Sequence, residues 1–277
     1  MTTLIMAQLT IQETQRRRIL WLGLLMAVGF LTVFGIGLHY IVSELSRTGM
    51  GREEMEVATG LLLSAGLYVV NFLIIIMSVL TSVTAISGEI DSHTIETLLT
   101  KPVRRWEVIL GKWLGFVLLL LLYVMLLSGG LMLIYTLRTG FVVHNVVAGM
   151  SIMVLQGLVV LSVTMWGGTK LSTLANGVLA FMLYGIAFIG GWVEQIGALF
   201  RNETAVDIGI ITSLILPTEI LWKKALSLFQ PKVIAAANFA GPLAVTSQPS
   251  DLMIEYAVGY TAVLLLLALY NFSRRDL

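Results

Sequence analysis

The chain has 277 residues, 57% of them hydrophobic and 12% charged, with a mean hydropathy of +0.93 and a formal net charge of +1. Soluble domains carry about 25% charged residues and about 45–50% apolar ones, so this chain has too little charge for a water-facing surface, and lipid is the solvent that fits. The near-zero net charge gives no global polyanion-binding signal and argues against nucleic acid as a partner. Without cysteine there are no disulfides, thiolate metal sites or cysteine nucleophiles.

A spanning helix needs about 20 apolar residues, each adding about 1.5 Å across a hydrocarbon core of about 30 Å. Six runs qualify, near residues 19–42, 61–86, 108–136, 145–169, 174–196 and 254–272. The fold class they predict is all-α, a polytopic membrane protein with six transmembrane helices in a single domain over residues 1–277. Ahead of the first run, residues 2–18 are mildly amphipathic, with Ile5 and Leu9 four apart and Glu13 spaced to pair with Arg16 and Arg17. Two readings stand for this segment: a helix along the inner membrane surface, or a basic flank that sets topology. Arg16, Arg17 and Arg18 precede an apolar run to Val42, longer than the apolar stretch of about 7–15 residues in a cleavable signal. The first helix is thus expected to be retained.

Lysine and arginine counts beside the spans set the orientation. Arg16, Arg17, Arg18, Lys101, Arg104, Arg105, Lys112, Lys170, Arg274 and Arg275 fall on one side, against Arg47, Arg52 and Arg138 in the short loops of the other. Both termini are expected in the cytoplasm of a cell whose inner or plasma membrane holds the protein.

Between the second and third spans lies the most informative segment, residues 86–112. Asp91 is placed to cap a helix, Ile95, Leu98 and Leu99 share one face of it, and Pro102 disfavours helix at Lys101. Arg104, Arg105 and Lys112 then anchor the third span at the headgroups. The predicted element is a helix across the cytoplasmic mouth, with an apolar ridge flanked by charge, suited to a groove on a soluble partner. Gly111 and Gly115 form a small-x-x-x-small face on the third span, a candidate packing site. Lys170 to Thr173 leave room only for a tight hairpin between the fourth and fifth spans.

The stretch from about 197 to 253 is read as a long outer loop punctuated by Pro217, Pro231, Pro242 and Pro249. Within it, Thr218 to Phe229 predicts a short interfacial or re-entrant helix on the outer face, capped by Thr218, with Leu221, Trp222, Ala225, Leu228 and Phe229 on its apolar side.

The segment after the second span resembles the ABC-2 class of transporter permeases, whose pattern runs E-x-x-x-G-T-x-E-x-L-L-x-x-P-V-x-R followed by a Gly-Lys. The match is at Glu89, Thr94, Glu96, Leu98, Leu99, Pro102, Val103, Arg105, Gly111 and Lys112, and the departure is His93 in place of glycine. The Leu-Pro-Thr-Glu-x-Leu-Trp stretch at Leu216 to Trp222 is similar to the same class. The resemblance implies a permease subunit, an exporter, paired with a second permease as homodimer or heterodimer and with separate ATPase subunits. Glu89, Asp91, Thr94, Ile95, Glu96, Leu98, Leu99, Pro102 and Arg105 would form the ATPase-coupling surface. The chain itself would be no enzyme and hold no cofactor, with ATP and magnesium bound by the partner. In keeping with this, no G-x-x-x-x-G-K-[ST] loop occurs. His39, His93 and His144 are scattered without metal-ligand spacing.

Among polar residues inside the spans, Asn71, Gln156 and Glu194 are the candidate pathway residues, while Thr81, Ser82, Ser128 and Thr164 are read as ties between helices, and Asn176 is polar without an assigned role. No charged pathway is visible within the spans, which argues against a proton- or ion-coupled carrier. Two other readings are a membrane anchor that recruits an ATPase without transporting, and an intramembrane enzyme. Glu53 and Glu54 lack the neighbouring histidines that the enzyme would need.

Overall fold

The computed structural model describes residues 2–88, 104–230 and 249–274. Nine helices occur among the described residues: α1 (Thr2–Arg16), α2 (Arg18–Arg47), α3 (Arg52–Ser82), α4 (Arg105–Thr139), α5 (Val146–Gly168), α6 (Thr173–Leu199), α7 (Glu203–Ile215), α8 (Thr218–Phe229) and α9 (Leu252–Ser273). Six of these, α2 to α6 and α9, are long and apolar enough to cross a membrane, and each contains most of one predicted run. They alternate in direction. Residues 83–88, 104 and 169–172 turn at one end, called basal here, and residues 48–51, 140–145 and 200–202 turn at the other, distal end.

The largest shift from the predicted boundaries is at α3, which starts at Arg52 rather than 61 and stops at Ser82 rather than 86. Its polar first turns stay helical because Glu54 Oε2 accepts the Gly51 N–H at 3.3 Å, satisfying one of the orphan donors of a helix start. At its other end the freed Val83 carbonyl accepts from Ser87 Oγ at 2.8 Å and Asn176 Nδ2 at 3.4 Å, so the chain can leave the helix while Ala85 and Ile86 remain buried.

The most enclosed spans are α3 and α5, and α5 is apolar on every side, as a helix surrounded by others must be. Packing rather than water exclusion holds helices together in lipid, so close approach at small residues matters. Gly149 of α5 receives the ring of Phe229, and Gly157 receives Leu120. α4 widens into a π-helical turn at Met125–Gly129, next to Gly130, whose open face receives Leu31.

α1 settles the open question about residues 2–18: it is a helix packed lengthwise on α4. Thr2 lies by Glu107, Thr3 and Met6 by Gly111, and Ala7 and Thr10 by Gly115, so the two helices run parallel. Met6, Thr10 and Thr14, each four apart, form the buried face. The Thr10 and Thr14 hydroxyls bond the carbonyls of Met6 and Thr10 at 2.8 and 2.7 Å, which leaves no unpaired hydroxyl in that seam. Leu4, Ile5 and Leu9 point away from the protein as an apolar edge suited to lipid. The predicted small-residue face of Gly111 and Gly115 is therefore the seat of α1. Lys112, expected at the headgroups with Arg104 and Arg105, is instead 6% exposed. The first turns of α4 are enclosed by protein, with α1 on one side and Ile86, Met165 and Phe272 clustered with Ile109 and Phe116 on another.

A methyl added at Gly111 would overlap Met6 and sit 2.8 Å from the Thr3 carbonyl oxygen, and one at Gly115 would sit 2.9 Å from the Ala7 carbonyl oxygen. Gly111→Ala and Gly115→Ala are each expected to destabilise by about 1–3 kcal/mol, the range for overpacking. Gly29→Ala and Gly37→Ala, where nothing lies within 4 Å, are expected to be neutral. Thermal unfolding in detergent checks this, and equal melting shifts at all four positions would remove α1 from its seat.

Candidate functional site

Of the predicted ATPase-coupling residues, Glu89, Asp91, Thr94, Ile95, Glu96, Leu98, Leu99 and Pro102 lie outside the described residues, and Arg105 opens α4. The two stems of that segment are described, and α1 joins them. At its start, Thr2 Oγ1 donates to Glu107 Oε1 at 2.5 Å, while Glu107 Oε2 accepts the Arg104 N–H at 3.0 Å and so caps α4. At its far end, the Arg17 guanidinium bonds Thr84 Oγ1 just past α3 and pairs with Glu13. The stems have further ties: Arg105 Nη1 to the Ser273 carbonyl of α9 at 3.5 Å, and Ser87 Oγ to Thr173 Oγ1 at 3.0 Å. The two stems are thus bonded to α1, α9 and α6.

Above this frame, Ser82 and Thr164 bond across α3 and α5 at 2.5 Å, and Asn176 Nδ2 donates to the Thr164 carbonyl at 2.9 Å. The Ser82–Thr164 bond is a helix tie that the sequence suggests. The Ser82–Thr164 register places Asn71 and Gln156 within about one helical turn of each other in height. Both are buried, and Asn71 Oδ1 and both amide atoms of Gln156 lack hydrogen-bond partners in the protein. Neither is brought to Glu194, which lies on the distal half of α6.

Glu194 belongs to a different constellation, built by α7 and α8. α7 turns back along α6, with Ala205 against Gly197, Gly209 against Glu194, and Thr212 against Gly190. Asn202 starts it by accepting the Ala205 N–H at 3.2 Å, a side-chain cap. The chain then bends by 102° at Leu216 and Pro217 into α8, which returns to the distal end, where Phe229 fills the notch at Gly149 and Gln230 Nε2 donates to Ser64 Oγ at 3.4 Å. α7 and α8 thus form a bent helical pair whose two outer ends both lie toward the distal end of the bundle. The bend frees the last carbonyls of α7, and the hydroxyls of Tyr256 and Tyr260 on α9 take those of Leu214 and Ile215 at 2.6 and 2.9 Å. Lys224 holds the start of α9 through Asp251 at 2.8 Å and the Pro249 carbonyl at 3.0 Å.

Among the described residues of 197–253, α7 is a helix where a loop was expected. The expected helix Thr218–Phe229 exists with its apolar side inward, and Trp222 and Phe229 are wholly buried in the bundle. Thr218 is its first residue, not its cap, and Thr218 Oγ1 is buried without a partner. Glu219 and Lys223 stand beside Glu194. Lys223 Nζ is 2.9 Å from Glu194 Oε2 and 3.3 Å from the Gly191 carbonyl, and Glu219 packs directly on Gly191. Glu219 is 3% exposed and its Oε2 has no hydrogen-bond partner. Glu194, Glu219 and Lys223 thus form an ionisable cluster, of which only Glu194 belongs to a span. The sequence signal was available in part: Glu219 and Lys223 are four apart, one helical turn.

Magnitudes order the forces at this cluster. Glu219 lies in the first turn of α8, where a helix N-terminus favours negative charge by at most about 2 kcal/mol. Taking an unpaired carboxylate out of water costs several kcal/mol, so desolvation wins. The Lys223–Glu194 pair is different, because each charge has the other. Lys223→Met is expected to destabilise by about 3 kcal/mol, since it leaves Glu194 alone, while Lys223→Met with Glu194→Gln recovers most of the loss. Unfolding of the three proteins in lipid nanodiscs tests this, and additive losses would refute the pairing.

Residues 6–277 match the family described as ABC-2 family transporter protein. No curated protein matches the chain. The match covers nearly the whole chain, including all six candidate spans, and the protein belongs to the ABC-2 family of transporter membrane proteins.

Proposed function

We propose that this chain is the permease subunit of an ABC exporter, forming one transmembrane domain over residues 1–277, with two copies or two related chains paired with two ATPase subunits. The observation that carries this reading is the family match together with a basal frame whose stems enclose the segment that resembles the ABC-2 pattern. In this reading Asp91 to Lys101 form the coupling helix, Ile95, Leu98 and Leu99 enter a groove of the ATPase, and Glu89, Glu96 and Arg105 flank the contact. ATP and magnesium are bound by that partner. The concentration of Arg16, Arg17, Arg18, Arg104, Arg105, Lys170 and Arg274 at the basal end supports a cytoplasmic position for it. Both termini then face the cytoplasm.

Work done by the ATPase reaches the membrane only if its states bind the permease states differently. The basal frame supplies a route. A push on the coupling segment loads Glu107 and Thr84 together, because α1 bonds both stems, and α1 in turn is packed against α4 through Gly111 and Gly115. Asn71 and Gln156 are the proposed pathway residues, as polar groups at mid-height that the protein leaves unpaired.

Co-expression with an ATPase encoded beside this chain, followed by copurification and vesicle assays, tests the proposal. Deleting residues 91–101 is expected to abolish copurification. Arg17→Ala, which cuts the tie from α1 to Thr84, is expected to preserve copurification and lower permease-stimulated ATP hydrolysis several-fold. Retained copurification after the deletion would overturn the coupling assignment. Vesicles that hydrolyse ATP and export nothing would reassign the chain as an anchor.

A further inference from the structure

The bend between α7 and α8 gathers polar groups that the bundle leaves without partners. Ser213 Oγ, Thr218 Oγ1 and Glu219 Oε2 are all buried there and unbonded. Glu219 has the shortest reach to other ionisable groups. On its own helix it faces Lys223, on α6 Glu194 and Tyr184, and on α3 Tyr68. α5 contributes no ionisable residue along its length. On α7, Glu203 and Asp207 are exposed. On α9, Asp251 pairs with Lys224, Glu255 is exposed, and the Tyr256 and Tyr260 hydroxyls are bound to α7 carbonyls.

The census leaves two carboxyl groups and one ammonium. That ammonium is engaged by Glu194 and by the Gly191 carbonyl, and hydrogen bonds hold it on the α6 side. Glu219 is pressed into the gap made by Gly191, where any side chain at 191 would collide with it, and it is 3% exposed. A carboxylate in that position would be largely stripped of water and would share the one ammonium with Glu194.

We propose that Glu219 is a proton-binding site: with α8 seated on α6 it is a neutral carboxylic acid at neutral pH. Losing its proton to water at the distal end creates a second anion beside Lys223. That anion competes with Glu194 for the ammonium and weakens the seat of α8. The bent pair is thereby a proton-responsive element, whatever the cargo of the membrane domain.

Infrared difference spectra of the full chain in lipid nanodiscs, taken between about pH 7 and higher pH, far above the ordinary glutamate value of about 4.3, test this directly. Wild type is expected to lose a carboxylic acid carbonyl band and gain a carboxylate band as the pH rises. Glu194→Gln frees the Lys223 ammonium for Glu219 and is expected to show the same change at lower pH. Glu219→Gln is expected to show neither change. Should Glu219→Gln fail to fold, the downward shift in Glu194→Gln decides, and an unshifted band there would overturn the proposal. Absence of any carboxylic acid band at about pH 7, or the same band in a folded Glu219→Gln, would overturn the proposal.

Discussion

Every backbone group released where a helix stops inside lipid must find a partner within the protein, because no water is present to take it. Two places in this bundle meet that demand and shape the rest. Where α3 ends, the Val83 carbonyl is taken by Ser87 and Asn176, so the chain can turn while still buried. Where α7 ends, Pro217 lacks an N–H and the carbonyls of Leu214 and Ile215 go to two tyrosines of α9. Without these acceptor–donor matches neither the basal exit nor the bend between α7 and α8 would be tolerated at this depth. The polar side chains involved are therefore part of the fold before they are part of any mechanism.

The same economy of small residues recurs at each close approach. Gly111 and Gly115 admit the backbone of α1, Gly190 and Gly191 admit Thr212 and Glu219, and Gly149 admits Phe229. In each case a helix of modest length is held against a long span without relying on polar contacts alone. The two assemblies sit at opposite ends. One frames the segment between α3 and α4, and the other plugs the distal half between α3, α5 and α6. α6 is the long element that reaches from one to the other.

The spans were legible in the sequence because lipid thickness converts directly into a count of apolar residues. The seat of α1 was legible as the Gly111–Gly115 spacing, though not which helix would occupy it. The start of α3 was not, since Arg52 to Glu56 are polar and only the Glu54 cap keeps them helical. α7 escaped because its apolar stretch is too short to span and was taken for loop, despite Asn202 at its start and Pro217 beyond its end. The depth of Glu219 and Lys223 escaped for a stronger reason. Local composition describes them as a polar pair in a connecting segment, and only the 102° bend, a tertiary feature, carries them inward. Of the candidate site residues, Arg105, Asn71, Gln156 and Glu194 are placed by the structure, and Glu194 acquires neighbours that no local pattern announces.

The π-helical turn at Met125–Gly129 has a consequence for how α4 behaves along its length. A π turn holds one residue more than an α turn needs, so side chains beyond it are rotated by about 100° relative to an unbroken helix. The half of α4 that packs with α1 and the half that meets α2 therefore point their faces independently. Surplus residues of this kind can migrate along a helix by exchanging hydrogen-bond partners one step at a time. α4 thus carries, between its two halves, a ready-made place for torsion that leaves the helix axis continuous.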